Sequence, residues 1–213
     1  MRLRTLAPLL LLALIPALAQ DTPAPIPQPW PPAVDQAYPD LELKNHKGET
    51  VKLSDFRGKV IIVEPIGMNC PACQAFVGAN TELGPYGNNR PQAGLKSFDE
   101  YLEEVGGVKP SDRGIVYVQL LLYDMSNRKE PTVEDAAKWV EHFELEGRKN
   151  TVVLVGDARY VNQASWNLVP GFQLIDKNFV LRYDASGHSP KHDLGLLLRQ
   201  VKPLLEERAK PKR

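Results

Sequence analysis

Residues 60–76 read VIIVEPIGMNCPACQAF, which predicts a strand, a short loop, a Cys-x-x-Cys motif and a helix. Val60 to Val63 form an uninterrupted β-branched run, the pattern of a strand that is buried on both faces. Pro65 has no N–H to donate to a neighbouring strand, so we expect the chain to leave the sheet there. Pro71 suits the first turn of a helix, where its missing N–H would have no intrahelical partner.

Cys70 therefore falls at the N-terminus of the predicted helix. Unpaired N–H groups and the positive end of the helix dipole favour a thiolate at this position, which lowers the pKa of the cysteine. We expect Cys70 to be the nucleophile of a dithiol pair that it forms with Cys73.

These two residues are the only cysteines in the sequence. A disulfide across a two-residue spacer closes a very small ring and adds little stability, so the pair indicates chemistry rather than a structural staple. Structural zinc would require two more ligands at suitable spacing, and the histidines are scattered. We predict no metal site and no bound cofactor; the four histidines are His46, His142, His188 and His192.

The 213 residues, 43% of them hydrophobic, suit one domain with appendages. Residues 1–19 combine two arginines with an apolar run and a final Ala-Leu-Ala, the pattern of a secretory signal peptide. A retained membrane anchor is the alternative, although the apolar run is shorter than the roughly 20 residues that a span needs. Cleavage would leave a periplasmic or secreted protein with no stable membrane span. Without Arg2 and Arg4 the chain has 24 basic and 26 acidic residues, which gives no indication of nucleic-acid binding.

Three further segments follow the predicted signal peptide. Residues 20–38 are proline-rich and predict an extended linker, residues 39–205 form the domain, and residues 206–213 are a charged tail. Residues 78–94 carry no clear periodicity and predict a long loop. The predicted strands and helices of the domain are a hairpin around Lys47-Gly48, strands at Ile115–Tyr123 and Thr151–Val155, a hairpin turning at 176–178, and helices at 97–106, 132–147, 158–166 and from Asp193 to before Pro203.

Strands that alternate with helices, followed by an antiparallel hairpin and a closing helix, predict an α/β protein with a thioredoxin-like fold. We expect a central mixed β-sheet flanked by helices, with an N-terminal β-hairpin. An inserted loop and helix would follow the Cys-x-x-Cys helix.

The domain resembles the TlpA/ResA-like branch of the thioredoxin superfamily over roughly residues 39–205. The resemblance implies an exported thiol-disulfide oxidoreductase with a dithiol site. Two positions depart from the family pattern: Pro65-Ile66 replaces an aromatic pair, and Asn69 replaces the aromatic residue before the first cysteine. The matching residues are Pro39-Asp40-Leu41, Gly48, Val51, Leu53-Ser54-Asp55-Phe56, Gly58-Lys59-Val60, Cys70-Pro71-Ala72-Cys73, Pro170 and Leu174-Ile175-Asp176.

Cys70 and Cys73 are expected to be the attacking and the resolving thiol, since Cys73 lies one helical turn further in. Similar thioredoxins carry a buried acid at the position of Glu64, which could accept the proton of the resolving thiol. A solvated carboxylate at the strand end is the alternative.

The resemblance also marks a substrate-binding surface. It implies that Pro170 is a cis-proline and that Val169 offers its backbone to an extended substrate. Asn69 belongs to the same partner-binding surface, and the spacer residues Pro71 and Ala72 lie between the two thiols. The spacer lacks the histidine of strongly oxidising relatives.

We expect an enzyme that reduces protein disulfides and is itself reduced by an upstream redox partner, with a client in cytochrome or copper-protein maturation. The alternative is a Sco-like copper chaperone in which the same two thiolates bind Cu(I), a soft ion. Sco-type proteins have a wider cysteine spacing and a histidine close to the position of Val169. The Pro-x-x-x-Thr-x-x-Cys pattern of peroxiredoxins is missing around both cysteines.

Overall fold

The computed structural model of the protein describes residues 30–127, 129–187 and 192–209. The predicted signal peptide, residues 20–29 of the linker, His188 and the last four residues of the tail lie outside the described residues. Within that part of the chain, seven strands form one sheet in the order β2-β1-β5-β4-β3-β6-β7. The neighbours β3, β4 and β5 are parallel, and the remaining pairs are antiparallel. The strands are β1 (Glu42–Asn45), β2 (Thr50–Lys52), β3 (Val60–Gly67), β4 (Ile115–Tyr123), β5 (Thr151–Val155), β6 (Gln173–Ile175) and β7 (Leu181–Asp184).

Helices connect and cover these strands. Ser97 and Thr132 start α2 and α3 with capping boxes. None of the helices in the described residues is long and apolar enough to cross a membrane. The helices are α1 (Pro71–Val77), α2 (Phe98–Glu104), α3 (Val133–His142), α4 (Gln163–Trp166) and α5 (Leu194–Glu206), with short 3-10 turns at Leu53–Phe56 and Leu145–Gly147.

The buried side chains form two clusters around the sheet. Val60, Ile62 and Tyr117 of the central strands pack with residues of α2 and α5. Ile61 and Val63 belong to the second cluster, which contains Trp30, Trp139 and Phe179. The predicted mixed sheet flanked by helices and the predicted N-terminal hairpin are confirmed.

The expected exit of the chain from the sheet at Pro65 is wrong, because β3 continues to Gly67. The N–H of Val60 donates to the carbonyl of Gly114, and the N–H of Met68 donates to the carbonyl of Tyr123. The N–H groups of even-numbered residues in β3 therefore point toward β4. Successive residues of a strand point their N–H groups to alternate sides, which turns Pro65 toward β6. The pairing of β6 with β3 ends at Val63. The strand therefore loses no hydrogen bond at Pro65.

Three predicted helix boundaries are also wrong. The closing helix does not stop before Pro203: α5 runs to Glu206, because Leu204 stays buried beyond the proline and offsets the lost hydrogen bond. The third helix ends at His142, since Glu144 adopts a left-handed conformation with φ 52°. Only the last turn of the helix predicted at 158–166 forms, where Asn162 caps α4.

Candidate active site

The loop after β3 places Cys70 at the N-cap of α1, with Pro71 as the first helical residue. The Cys70 sulfur accepts a hydrogen bond from the backbone N–H of Cys73 at 3.3 Å. Cys70 is partly exposed, whereas Cys73 is completely buried. The two thiols therefore occupy different environments, as the sequence predicts for an attacking and a resolving cysteine.

The electrostatics of the pair follow from these positions. The pKa of Cys70 is lowered to about 7, first by a hydrogen bond from the Cys73 thiol and then by the backbone N–H groups of Cys73 and Ala72, against the opposing effect of burial. Burial raises the pKa of Cys73 well above its ordinary value, and the hydrogen bond to Cys70 and the charges of Cys70 and Glu64 raise it further. Near neutral pH a substantial fraction of Cys70 is thus thiolate, whereas Cys73 holds its proton and requires an acceptor for it.

Glu64 is the fifth of the eight residues of β3 and is completely buried. The hydroxyl group of Tyr117 on β4 donates a hydrogen bond to Glu64 Oε2. Burial raises the pKa of Glu64 well above its ordinary value; the Tyr117 hydrogen bond lowers it and the charge of Cys70 raises it. The alternative of a solvated carboxylate at the strand end is wrong.

The peptide bond between Val169 and Pro170 is cis, as the resemblance implies. Gly67 lies between this loop and the cysteine. A Cβ added to Gly67 would be 3.5 Å from Val169 Cγ1 and 3.7 Å from Cys70 Cβ. Gly67 therefore lies within van der Waals reach of both Val169 and Cys70.

The other predicted substrate-binding residues surround Cys70. Pro71 is exposed at the start of α1, Ala72 is buried, and Asn69 is half-buried. Asn69 Oδ1 and Asn127 Oδ1 are buried amide oxygens without a hydrogen-bond partner among the described residues. Asn127 Oδ1 is 3.1 Å from the position of a Cβ on Gly67, so a polar group that the sequence does not single out lies beside the site.

The loop at 78–94 forms neither helix nor strand, as predicted, and it is fastened to α1. The Gln74 side chain donates to the carbonyl of Tyr86 at 3.1 Å and accepts from the N–H of Tyr86 at 2.9 Å. The N–H of Gln92 donates to the carbonyl of Pro71 at 2.9 Å. The loop is thus bonded at two points to the helix that carries both cysteines.

Tyr117 is not among the site residues predicted from the sequence, and its contact with Glu64 is therefore missed. The register between β3 and β4, which pairs Ile62 with Tyr117 and Glu64 with Gln119, decides this contact. The sequence signal that could have found this contact is the pair of polar residues Tyr117 and Gln119, which stand two apart in the otherwise apolar strand 115–123.

In residues 30–127, 129–187 and 192–209, no group of three or more His, Cys, Asp or Glu side chains is placed to hold a metal ion. His142 Nε2 lies 3.2 Å from the carbonyl oxygen of Gly84. His192 Nδ1 accepts a hydrogen bond from the N–H of Asp184.

Residues 34–85 match the model of the AhpC/TSA family, which is about a quarter of the chain and includes both cysteines. No curated protein matches the sequence.

Two solved structures share the fold. An uncharacterised conserved protein from Geobacillus kaustophilus is 19% identical with a TM-score of 0.53, over 85% of this chain and 86% of that one. A proposed electron transfer protein from Aquifex aeolicus VF5 is 12% identical with a TM-score of 0.50, over 79% of this chain and 95% of that one. The thioredoxin-like fold is confirmed, and the TlpA/ResA-like subtype remains a prediction.

Proposed function

We propose that this chain is an exported protein dithiol-disulfide oxidoreductase that reduces the disulfides of other proteins. The observation that carries the proposal is the asymmetry of the pair: Cys70 is partly exposed with a pKa near 7, and Cys73 is buried with a raised pKa. An attacking thiol needs access and thiolate character, whereas a resolving thiol needs neither until the mixed disulfide exists.

The first step uses Cys70 alone. Its thiolate attacks one sulfur of the client disulfide, the client S–S bond breaks, and one client sulfur leaves as a thiolate. A mixed disulfide now joins Cys70 to the client. Because the negative charge on Cys70 disappears, one of the groups that hold the Cys73 pKa high is removed.

The second step requires Cys73 to lose its proton. Glu64, in its ionised form, accepts that proton, and the Cys73 thiolate attacks the Cys70 sulfur. The mixed disulfide breaks, the second client sulfur leaves as a thiolate, and a Cys70–Cys73 disulfide forms. Two electrons have passed from the protein to the client, and an upstream dithiol must return them.

The reducing direction is supported by the Cys70 pKa of about 7. A strongly oxidising dithiol owes its potential to a stabilised thiolate with a pKa of about 3.5, whereas the reducing thioredoxin has a value of about 7. A pKa near ambient pH also suits the attacking role, because it combines a substantial thiolate fraction with high nucleophilicity.

The client would lie across Val169, Asn69, Pro71 and Ala72, which surround Cys70. An extended segment could form hydrogen bonds with the backbone of Val169. The signal-like residues 1–19 support a periplasmic or secreted location, and a TlpA/ResA-like role suggests a client in cytochrome or copper-protein maturation.

The test is the reduction of insulin disulfides by the purified, reduced protein. We expect Cys70→Ser to abolish it and Cys73→Ser to accumulate a mixed disulfide with the client, because only the first thiol attacks and only the second releases. Equal trapping by the two variants would overturn the assignment of the roles. Hydrogen peroxide consumption, measured in parallel, would instead favour a peroxidase.

The copper alternative uses the same two thiols and is separated by a Cu(I) titration. The redox proposal predicts that Cys73→Ser abolishes turnover, while the amount of Cu(I) bound stays the same as in the wild type. Stoichiometric Cu(I) bound tightly by the wild type, with no insulin reduction, would favour the chaperone.

A further inference from the structure

Tyr117 and Gln119 stand two residues apart on β4 and therefore line the same face of the sheet. This is the face of Glu64, because the Tyr117 hydroxyl group donates to Glu64 Oε2. Gln119 is the direct partner of Glu64 in the parallel register of β3 and β4. Two polar side chains of one buried strand thus flank a single buried carboxyl group.

Among these three residues, one hydrogen-bond donor and one acceptor have no partner. Gln119 Oε1 accepts from the indole N–H of Trp139 at 2.9 Å, which holds the amide in place. Gln119 Nε2, a donor, and Glu64 Oε1, an acceptor, both lack a partner within the described part of the chain. Buried polar groups are normally paired, so an unused donor directly across the ladder from an unused acceptor needs an explanation.

We propose that Tyr117 and Gln119 are positioning residues that keep Glu64 able to accept the proton of Cys73. Tyr117 binds Oε2 in the resting state, and Gln119 Nε2 is the second donor available when Glu64 is ionised. The inference rests on the proposed function and adds to it the pair of groups that control its general base.

The physical requirement comes from burial. An isolated carboxylate in an apolar interior is unfavourable, so a buried Glu64 without donors would hold its own proton and could not take another. Hydrogen bonds donated to the carboxylate oppose this effect. A fraction of ionised Glu64 near neutral pH is what the resolving step needs.

Apolar side chains on this face make the donors more important. The Tyr117 ring stacks on Phe98 at 4.3 Å between centroids, and Phe98 stacks on Phe172 at 5.0 Å. These rings exclude water from the Tyr117 side of the carboxyl group. The stack also means that removing the hydroxyl group alone leaves the packing intact.

The titratable groups that face Glu64 are few. Cys70 and Cys73 of α1 interact with it, and Tyr117 does so from β4. Beyond Tyr117, Asp99 of α2 and Arg148 act on the tyrosine with opposite signs. Arg148 and Asp99 form an ion pair at 3.1 Å, so their net effect on Glu64 is small.

The experiment titrates Glu64 directly. The infrared band of a protonated carboxyl group that disappears in Glu64→Gln identifies Glu64, and its amplitude against pH gives the protonated fraction. In Tyr117→Phe we expect the midpoint to rise by about one pH unit, since one hydrogen bond to the ionised form is lost. The control is Tyr123→Phe, on the same strand, whose hydroxyl group bonds to Ser165 and Asn162 instead.

The kinetic arm follows single turnovers of the reduced protein with insulin, quenched with acid and analysed by mass. In Tyr117→Phe, formation of the mixed disulfide should be unchanged, while its resolution at pH 7 should slow about tenfold and recover at higher pH. A structural defect would slow both steps at every pH. Tyr123→Phe should match the wild type.

Gln119→Leu removes the second donor. We expect the infrared midpoint of Glu64 to rise in this variant as well. Combining it with Trp139→Phe avoids leaving the indole N–H unpaired. An unchanged midpoint in both Gln119 variants would refute the role of Gln119, and an unchanged midpoint in Tyr117→Phe would refute that of Tyr117.

The two levels of the hypothesis fail separately. A wild type that reduces no disulfide refutes the proposed function, while the infrared shift in Tyr117→Phe would still assign the tyrosine to Glu64. If the wild type is active and the infrared midpoint of Glu64 is the same in all variants, this inference is refuted and the proposed function stands.

Discussion

The stability of Glu64→Gln relative to the wild type should grow as the pH rises. The same substitution should slow the resolution of the mixed disulfide. Because burial raises the Glu64 pKa above the ordinary value of 4.5, the folded state retains this proton at a pH where the unfolded state has lost it. The unfolded state then binds fewer protons, so the stability of the wild type falls as the pH rises from about 4.5 toward the folded pKa. Glutamine does not titrate and does not impose this loss.

The magnitude follows from the width of that interval. One proton changes the free energy of unfolding by about 1.4 kcal/mol per pH unit. Between pH 4.5 and pH 7 the loss in the wild type is therefore at most about 3.4 kcal/mol. The glutamine amide leaves a buried N–H₂ group without an assured partner, which costs about 1–3 kcal/mol at every pH. The quantity to measure is thus the pH dependence of the difference, not its sign at one pH.

The assay is urea unfolding of the reduced proteins from pH 4.5 to pH 8. The difference in the free energy of unfolding, Glu64→Gln minus wild type, should grow with pH. The exposed Glu82, changed to glutamine, is the control and should give no such trend. Parallel curves for wild type and Glu64→Gln would refute the reasoning, because they would mean that Glu64 titrates alike in both states.

The same variant should lose the second chemical step. Resolution of the mixed disulfide needs a base, and general-base contributions are about 10²–10⁴-fold. Attack by Cys70 should keep its wild-type rate. A substitution whose stability relative to the wild type grows with pH, and which slows only one of the two chemical steps, distinguishes a functional buried charge from a structural one.

Alkylation of Cys70 by iodoacetamide should show a midpoint near pH 7, whereas the buried Cys73 should react at higher pH; equal midpoints would contradict the assigned roles. Gln74→Leu should release the loop at 78–94 and speed its cleavage by a glutamyl endopeptidase after the exposed Glu82, while the far-ultraviolet circular dichroism stays unchanged; wild-type cleavage rates would show that Gln74 does not hold the loop. Pro203→Ala should stabilise α5 by up to about 3 kcal/mol in urea unfolding, since an alanine restores the missing helical hydrogen bond; a loss of stability would show that the ring itself is needed.

The sequence predicts the site well where the chemistry is local. Cys70 and Pro71 are adjacent, so the N-cap position of the thiol follows from helix rules alone. The greater burial of Cys73 follows from its place one turn further along the same helix. The two predicted hairpins are similarly local and are confirmed.

The predicted ends of strands and helices are wrong where a neighbouring strand or a buried side chain determines them. Pro65 would end a strand paired on both sides, but here the side facing β6 is already unpaired. Pro203 would end a solvated helix, but Leu204 remains buried one residue later. A proline stops an element only when it removes a hydrogen bond that nothing else offsets, and a single sequence does not show which hydrogen bonds exist.

Glu64, the proposed general base, is the intermediate case. A carboxylate inside an otherwise apolar strand just before the cysteines indicates that Glu64 is special, yet the sequence leaves its burial open. Its donors come from β4, more than 50 residues away in the chain, and only the register brings Tyr117 and Gln119 to it. Since the unpaired donor of Gln119 and the unpaired acceptor of Glu64 become complementary only in that register, the control of the proton is a property of the fold, whereas the thiol it serves can be read from four consecutive residues.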